Sequence, residues 1–326
     1  MAKTKSAEAQ TVSPAVRKKN KWALFKKRFK KNWQLHMLSL IPFVYIVIDH
    51  YVPMWGTQIA FRNYRAKQGI VGSEWVGLKW FKQLLTGYKF PELLKNTLSI
   101  SFYNLLIQIP MAVFMALLLH ICRRKVLKKV AQNVSYMPHF ISTVVLVGMM
   151  DMVLNPVVGL VGTIYKMLGG TGQPLDVRTS VKAFRHLYVW SGIWQNLGWS
   201  SIIYIAALSG VSSELHEAAQ IDGASRFQRV LHVDLPAILP TVAIKMIMDC
   251  GHVMSVGYEK AYLMQNDINL PVSEVISTYV YKQGLKNNKL SFSTAVGLLN
   301  SVANLAVILV VNFITKKASD GEYSLF

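Results

Sequence analysis

Residues 211–240 read VSSELHEAAQIDGASRFQRVLHVDLPAILP and lie between two long apolar stretches. The segment is too long for a simple turn and too rich in helix-forming residues for a disordered link. Ser213 is placed to N-cap a first helix, whose first turns hold Glu214 and Glu217, and these acids interact favourably with the positive end of the helix dipole. Gly223 can end that helix by adopting positive φ. The sequence therefore predicts a short helix that ends at Gly223.

A second short helix is predicted after this glycine. Residues 224–232 favour it, and Pro236 is expected to terminate it. Small residues in both helices let another surface approach the backbone closely, at Ala218, Ala219, Gly223 and Ala224. The acids and arginines around them offer directional charge pairs. We interpret the segment as a docking surface, with a hairpin lying on the bilayer surface as the alternative.

The rest of the chain is strongly apolar, since 52% of its 326 residues are hydrophobic. These residues gather in stretches of about 20, the length of a helix that crosses a hydrocarbon core of roughly 30 Å. Six spans are predicted, near residues 33–52, 97–121, 140–161, 187–208, 238–257 and 292–314. The predicted fold class is an all-α membrane protein with about six transmembrane helices, whose even number returns the C-terminus to the starting side.

The formal net charge of +20 is concentrated beside the first span, because residues 1–32 hold eleven lysines and arginines. Basic residues flanking a span resist translocation, so this tail is predicted to be cytoplasmic. Basic runs at 123–129 and 316–317 fall on the same side. The outer loop 53–96 is also basic, which weakens the pattern. A nucleic-acid partner is not expected, since no base-reading motif accompanies the tail.

The predicted organisation is a basic cytoplasmic tail (1–32), a transmembrane domain (33–314) and a short cytoplasmic C-terminus (315–326). The transmembrane domain includes the outer loop 53–96 and the 210–237 loop. The two cysteines, Cys122 and Cys250, suggest neither a disulfide nor a metal site.

The 210–237 loop resembles a known family. The match consists of Glu217-Ala218-Ala219, three residues, Gly223, nine residues, Val233, one residue and Leu235-Pro236. This pattern resembles the signature of type I, binding-protein-dependent ABC importer permeases, with Val233 in place of isoleucine. The longer run ELHEAAQIDGAS is similar to the sugar, oligosaccharide or polysaccharide branch, which includes alginate importer permeases. WVGLKWF and KNTLSIS, at 75–81 and 95–101, resemble stretches at matching places in those permeases.

This resemblance implies a coupling helix that sits in a groove of a cytoplasmic ATPase. The residues carried over are Glu217, Ala218, Ala219, Asp222, Gly223, Ala224 and Arg226. It implies as partners a second permease subunit, two ATPase subunits, an extracytoplasmic solute-binding protein, a saccharide and the lipids of a bacterial inner membrane. Because the chain contains no G-x-x-x-x-G-K-[ST] loop, ATP and Mg²⁺ are expected on the ATPase, with no cofactor on this chain, which is not expected to be an enzyme.

Candidates for the substrate path lie in the fourth and last spans. Aromatic faces and hydrogen-bonding groups suit a sugar ring, and the candidates are Trp190, Trp194, Gln195, Asn196, Trp199, Asn300 and Asn304. Packing between helices is the alternative. The saccharide is expected to be an oligosaccharide or polysaccharide fragment, with acidic ones such as alginate included.

Ionisable residues within spans are costly and must face protein or water. Lys245 and Asp249 are one helical turn apart and are expected to neutralise one another, while Asp151 and His252 are the other members of this group. An ion-gradient-driven secondary transporter, with Asp151 and Asp249 as its ion sites, is the alternative function. A membrane-embedded enzyme is a second alternative, but no paired carboxylates or metal-ligand cluster share a loop.

Overall fold

The described residues begin with a long helical stretch. The computed structural model describes residues 14–172, 174–321 and 323–325, so the predicted tail lies partly outside the described residues. The chain separates into two units, 1–58 and 59–326. The described part of the first unit holds α1 (Pro14–Lys31), α2 (Trp33–Ile46) and α3 (Val52–Met54), with a π-helical turn at Val47–Tyr51.

α1 and α2 are separated only at Asn32. The backbone N–H of Asn32 donates to the carbonyl of Arg28 at 2.9 Å, and that of His36 donates to the Asn32 carbonyl at 3.2 Å, so helical hydrogen bonding continues across the break. Ring stacking joins the two helices, because Phe29 lies 4.3 Å from His36 between ring centroids. The basic tail therefore leads into the first apolar helix with little interruption.

A small hairpin follows, which sequence analysis did not predict. β1 (Arg62–Arg65) pairs antiparallel with β2 (Ser73–Trp75), in the register Arg62 to Trp75, and a short α4 (Gly69–Gly72) lies between them. α5 (Lys79–Leu85) packs on the hairpin, since the indole N–H of Trp80 donates to the Arg62 carbonyl at 2.9 Å.

The remaining structure of the second unit is helical. In chain order its helices are α6 (Phe90–Ile121), α7 (Lys125–Tyr136), α8 (Thr143–Val153), α9 (Leu160–Met167), α10 (Phe184–Ser209), α11 (Ser213–Ile221), α12 (Arg226–Arg229), α13 (Leu235–Cys250), α14 (Tyr258–Met264), α15 (Leu270–Ser273), α16 (Ile276–Tyr281) and α17 (Leu290–Ala318).

The interior of the second unit is built where α6, α10, α13 and α17 pack together. One buried cluster lies toward the C-terminal end of α6 and contains Ala112, Val113, Ala116, Tyr204, Leu208 and Ile238. Another lies toward its N-terminal end and includes Leu93, Val253, Ile276, Phe292 and Val296. The alanines at 112 and 116 are one turn apart, and their small side chains let α10 approach the α6 backbone closely.

Four helices of the described residues are long and apolar enough to cross a membrane. They are Trp33–Phe61, Phe90–Ile121, Arg226–Cys250 and Leu290–Ala318, and a fifth is added if the bent pair Lys125–Phe140 and Thr143–Val153 forms one broken span. α10 has 26 residues, enough to cross, but Gln195, Asn196 and four serines dilute its apolar character. These helices agree with the predicted type I permease fold.

The predicted continuous third span, 140–161, is wrong in detail. The two segments of the bent pair meet at 100°, and α8 ends at Val153. Ser142 starts α8 afresh, because its side chain accepts from the Val145 N–H. After the helix, the Asn155 side chain accepts from the Val157 N–H at 2.9 Å and folds the chain into a turn. Local side-chain capping therefore competes with a straight helix here.

Candidate functional site

The helix predicted in the 210–237 loop is present as α11. Its N-cap is Ser212, one residue before the predicted Ser213, and the Ser212 hydroxyl accepts from the Glu214 N–H at 3.2 Å. The hydroxyl satisfies one of the free N–H groups of the first turn. The carboxylate of Glu214 lies in that turn, where the dipole favours it.

Gly223 ends α11 in the left-handed conformation that the sequence predicts, with φ of +78°. The Gly223 N–H donates to the Gln220 carbonyl at 3.1 Å, and the Ala224 N–H donates to the Ala219 carbonyl at 2.9 Å. These two bonds form a Schellman motif, which closes the last turn of the helix. The chain therefore reverses sharply at Gly223 and leaves α11 as a separate, well-capped unit.

The second helix begins at a capping box. The Ser225 hydroxyl accepts from the Gln228 N–H at 3.3 Å, and the Gln228 side-chain carbonyl accepts from the Ser225 N–H at 2.7 Å. These reciprocal bonds start α12 at Arg226.

Termination of this helix at Pro236 is a wrong prediction. α12 passes through a π-helical turn, Val230–Asp234, into α13, and Arg226–Cys250 is continuous. Pro236 lies in the first turn of α13, directly after the wider π-helical turn, where its missing N–H and its ring are accommodated. The loop thus connects rigidly to the fifth predicted span.

The outer face of the loop is exposed and mixes charged with apolar side chains. Glu217, Asp222 and Arg226 are exposed, and Glu217 makes no ion pair within the described residues. Ile221 is 86% exposed and Phe227 is 70% exposed. Of the small residues singled out, Ala218 and Gly223 are exposed and Ala219 and Ala224 are half-buried.

Ile221 and Phe227, the most exposed large apolar side chains of the loop, were not predicted from the sequence. Each lies within a polar run of the loop, beside the turn at Gly223, and this unusual placement is the signal that could have found them. An apolar side chain beside unpaired charges is typical of a protein-binding surface. The loop therefore has the chemistry of a docking surface.

A polar cavity of about 190 Å³ lies among α6, α10 and the end of α13. The polar side chains that line it are Ser101, Asn104, Gln108, Tyr188, Asp249, His252 and Ser255. The Asn104 amide donates to the Gln108 carbonyl at 2.7 Å, and the Gln108 amide reaches the Ser200 hydroxyl at 3.3 Å. Hydrogen-bonding groups of this kind suit a hydroxylated ligand.

The α6 side of this cavity was also missed. Ser101, Asn104 and Gln108 recur at spacings of three and four residues, and they form a polar stripe on an otherwise apolar helix. That stripe is visible in the sequence. The neighbouring pair of Lys245 and Asp249 is confirmed, since the lysine ammonium contacts the Asp249 carboxylate one turn away.

Asp151 and Asp249, the two carboxylates of the ion-gradient alternative, do not lie in one site. Asp249 lines the polar cavity, whereas Asp151 lies in the last turn of α8 and is exposed, 3.5 Å from the Arg178 guanidinium. Arg178 also pairs with Asp176 at 2.9 Å. The hydrogen bonds from Arg178 lower the pKa of Asp176.

The predicted substrate-path residues of α10 do not line the polar cavity. Trp190 and Trp194 lie beside α8 in an open apolar pocket of about 440 Å³, each about half exposed. Trp199 stacks on His139 with ring centroids 4.4 Å apart, and the Asn196 side-chain oxygen lies 2.9 Å from His139 Nδ1. Gln195 donates to the Ile141 carbonyl at 2.7 Å.

The two asparagines of α17 lie together. The Asn304 amide donates to the Ser255 hydroxyl at 2.8 Å, and its carbonyl accepts from the Met254 N–H at 2.9 Å. The Asn300 amide is 3.4 Å from the same hydroxyl. Since Ser255 lines the polar cavity, these asparagines support its wall.

Ion pairs around the buried Glu274 join the N-terminal end of α6 to α15 and α16. Glu274 accepts from the Lys89 ammonium at 3.0 Å and from the Lys282 ammonium at 3.1 Å. Burial alone raises the pKa of Glu274, but the hydrogen bonds from both lysines outweigh it and hold the pKa below its usual range. The hydrogen bond with Glu274 likewise raises the pKa of Lys89. The network fixes α15 and α16 beside α6.

Known protein sequences are similar to this chain over most of its length. The profile of the family described as "Binding-protein-dependent transport system inner membrane component" matches residues 108–320. The polygalacturonan/rhamnogalacturonan transport system permease protein YteP of Bacillus subtilis (strain 168) is 38% identical over 322 residues, which cover 98% of this chain and 100% of that protein. Protein LplB of the same organism is 37% identical over 288 residues, covering 88% and 90%.

A solved structure also matches. It is described as a bacterial alginate ABC transporter in complex with alginate pentasaccharide-bound periplasmic protein. One of its chains superimposes with a TM-score of 0.81 at 32% identity, over 90% of this chain and 97% of that one.

Proposed function

We propose, from the premise that this chain belongs to the family of binding-protein-dependent transport system inner membrane components, that it carries an oligosaccharide across a bacterial inner membrane as the permease subunit of an ATP-driven importer. As a member of that family it is an integral membrane transporter permease and not an enzyme. The family disfavours the ion-gradient alternative, and the separation of Asp151 from Asp249 is consistent with this.

The observation that carries the proposal is the exposed outer face of the 210–237 loop. Two cytoplasmic ATPase subunits, which bind ATP and Mg²⁺, supply the energy, and α11 sits in a groove of one of them. Ile221 and Phe227 give the apolar contact, and Glu217 gives a charge pair across the interface. Because α12 runs without a break into α13, movement of the docked loop is transmitted directly to a membrane-spanning helix.

We assign the polar cavity to the saccharide path. Its amide, hydroxyl and imidazole groups supply donors and acceptors for sugar hydroxyls, with Gln108 on α6 and His252 just after α13. Trp190 and Trp194 remain candidates for stacking, on a face that a second, homologous permease subunit covers. Both termini and the 210–237 loop lie on the cytoplasmic side, and an extracytoplasmic binding protein delivers the saccharide from the other.

The proposed substrate is an oligosaccharide that contains uronic acid units. The names of one relative and one structural neighbour refer to polygalacturonan, rhamnogalacturonan and alginate, and this chain aligns with nearly the full length of both. The excess of lysines and arginines over acidic residues in the outer loop 53–96 suits an anionic substrate that approaches from outside.

Uptake by reconstituted vesicles tests the proposal. The permease pair, the ATPase and the binding protein are placed in proteoliposomes, and labelled oligogalacturonate and a neutral oligosaccharide of equal length are offered. We expect uptake of the acidic sugar that needs internal ATP and is unaffected by an ionophore. Uptake that needs an ion gradient instead would refute the transport mechanism, and preference for the neutral sugar would refute the substrate class.

A further inference from the structure

A cluster of two histidines and one aspartate lies where the 210–237 loop meets the end of α6. His120 is on the last turn of α6, His216 is on α11, and Asp234 ends the π-helical turn before α13. The Asp234 Oδ1 atom lies 3.2 Å from His216 Nε2 and 3.6 Å from His120 Nε2. One ligating atom from each residue lies within 4.8 Å of the other two.

Asp234 is the unexplained member of this cluster. Its side chain is only 3% exposed, yet Oδ1 accepts no hydrogen bond within the described residues. His120 Nε2 is too far away to donate, and His216 Nε2, at 3.2 Å, is close enough but is not aligned for a hydrogen bond to this oxygen. A buried carboxylate oxygen without a partner is costly and calls for a ligand.

The two separations from Asp234 Oδ1, 3.2 and 3.6 Å, lie on either side of the ligand spacing expected around a tetrahedral metal ion. With zinc–nitrogen and zinc–oxygen bonds of about 2.0–2.1 Å, two ligands of a tetrahedral zinc lie about 3.3 Å apart. Ligand atoms of such a site point toward a common centre and not at one another, which accounts for the close but misaligned approach of His216 to Asp234. Imidazole and carboxylate are ligands that zinc prefers.

The charges around the cluster determine which ligand would take the fourth position of a tetrahedral ion. A cavity of about 210 Å³ opens beside the cluster and is also lined by Arg123, Arg226 and Arg229. Zinc with one carboxylate and two neutral imidazoles keeps a charge of +1, and the arginines add to it. An anion or a hydroxide is therefore favoured in the fourth position.

We propose that His120, His216 and Asp234 form a site for a zinc-class divalent cation that ties α11 to the ends of α6 and α13. The three ligands do not belong to the exposed outer face of the 210–237 loop, and the proposal does not rest on the transport function. A bound ion fixes the position of α11 relative to the spans, because its ligands come from all three elements.

Direct metal binding tests the site. The full chain, purified in detergent and stripped with a chelator, is titrated with Zn²⁺, and with Co²⁺ for its visible absorption. We expect one ion per chain and a Co²⁺ spectrum of tetrahedral intensity. His120→Ala and His216→Ala should each weaken binding by more than the roughly 10–100-fold cost of losing an outer-shell partner.

Two further variants separate ligand loss from general damage. His216→Cys supplies a thiolate, another good zinc ligand, and should restore zinc binding with a shifted Co²⁺ spectrum. His232→Ala is the matched control: His232 lies in the same loop, is exposed, and faces the Gln228 carbonyl at 2.9 Å. It should bind as the unaltered chain does. Weak zinc binding that is equal in all variants would mean an adventitious ion only and would overturn the proposal.

Discussion

Replacement of Gly223 by alanine isolates the backbone geometry of the docking loop. Gly223 has φ of +78°, and a Cβ atom built there meets no other atom within 4 Å. The substitution therefore adds no steric clash. Its cost is the left-handed backbone, which is about 1–2 kcal/mol for a residue with a Cβ atom.

This cost sets the size of the expected effect. One tenfold change in an equilibrium corresponds to about 1.4 kcal/mol, so the population of the turn falls by roughly 5–30-fold relative to other arrangements of the loop. If the ATPase binds only the observed turn, its apparent affinity falls by up to the same factor. Gly223→Asn is the matched control, because asparagine tolerates positive φ better than other side chains, and it should lose less.

The affinity is measured by titrating the cognate ATPase onto the permease pair in lipid nanodiscs, with stimulated ATP hydrolysis as a second readout. We expect the order glycine, asparagine, alanine in both. Equal affinity and equal stimulation for Gly223 and Gly223→Ala would refute the idea that this turn is part of the docking surface.

Three other substitutions test separate parts of the molecule. Glu217→Lys reverses an exposed charge and should abolish ATP-driven uptake while the melting temperature stays unchanged; uptake at the normal rate would remove Glu217 from the interface. Gln108→Leu removes an amide that lines the polar cavity. Loss of its hydrogen bond to the sugar costs about 1–1.5 kcal/mol, so uptake should fall roughly tenfold while the affinity for the ATPase is unchanged. Glu274→Gln leaves Lys89 and Lys282 without their buried partner and should destabilise the protein by about 2–4 kcal/mol in thermal unfolding at pH 7. The folded-state pKa of Glu274 is lowered, so its ion pairs stabilise the protein fully above the ordinary glutamate pKa of about 4.3. This stabilisation is lost as the pH falls below that value. The difference in unfolding free energy between the unaltered protein and Glu274→Gln should therefore shrink below about pH 4.3 and not at pH 6.

Features set by local sequence were predictable. The positive φ of Gly223 follows from a helix that needs a left-handed residue at its end, and the pair of Lys245 and Asp249 follows from helical spacing alone. The apolar helices near 97–121 and 292–314 were also found, since their length and composition suffice.

Features that depend on the detailed backbone geometry of an element or on contacts between distant segments were not predictable. Pro236 ends a helix in most settings, but the π-helical turn before it lets the helix continue. The contacts of Gln195 and Asn196 with the turn at residues 137–141 were not predictable either, because only the folded chain brings that turn near. The hairpin of β1 and β2 was not predicted because its strands have only four and three residues.

Photocrosslinking at Ile221 tests most directly whether an ATPase docks on the 210–237 loop. A photoreactive phenylalanine analogue replaces Ile221, which is 86% exposed. The control variant carries the analogue in place of Tyr88, which is 87% exposed and lies just before the N-terminal end of α6. On illumination of the assembled transporter, we expect a crosslink from position 221 to the ATPase subunit and none from position 88. An ATPase crosslink that is missing at position 221, or equal at both positions, would contradict docking on this loop.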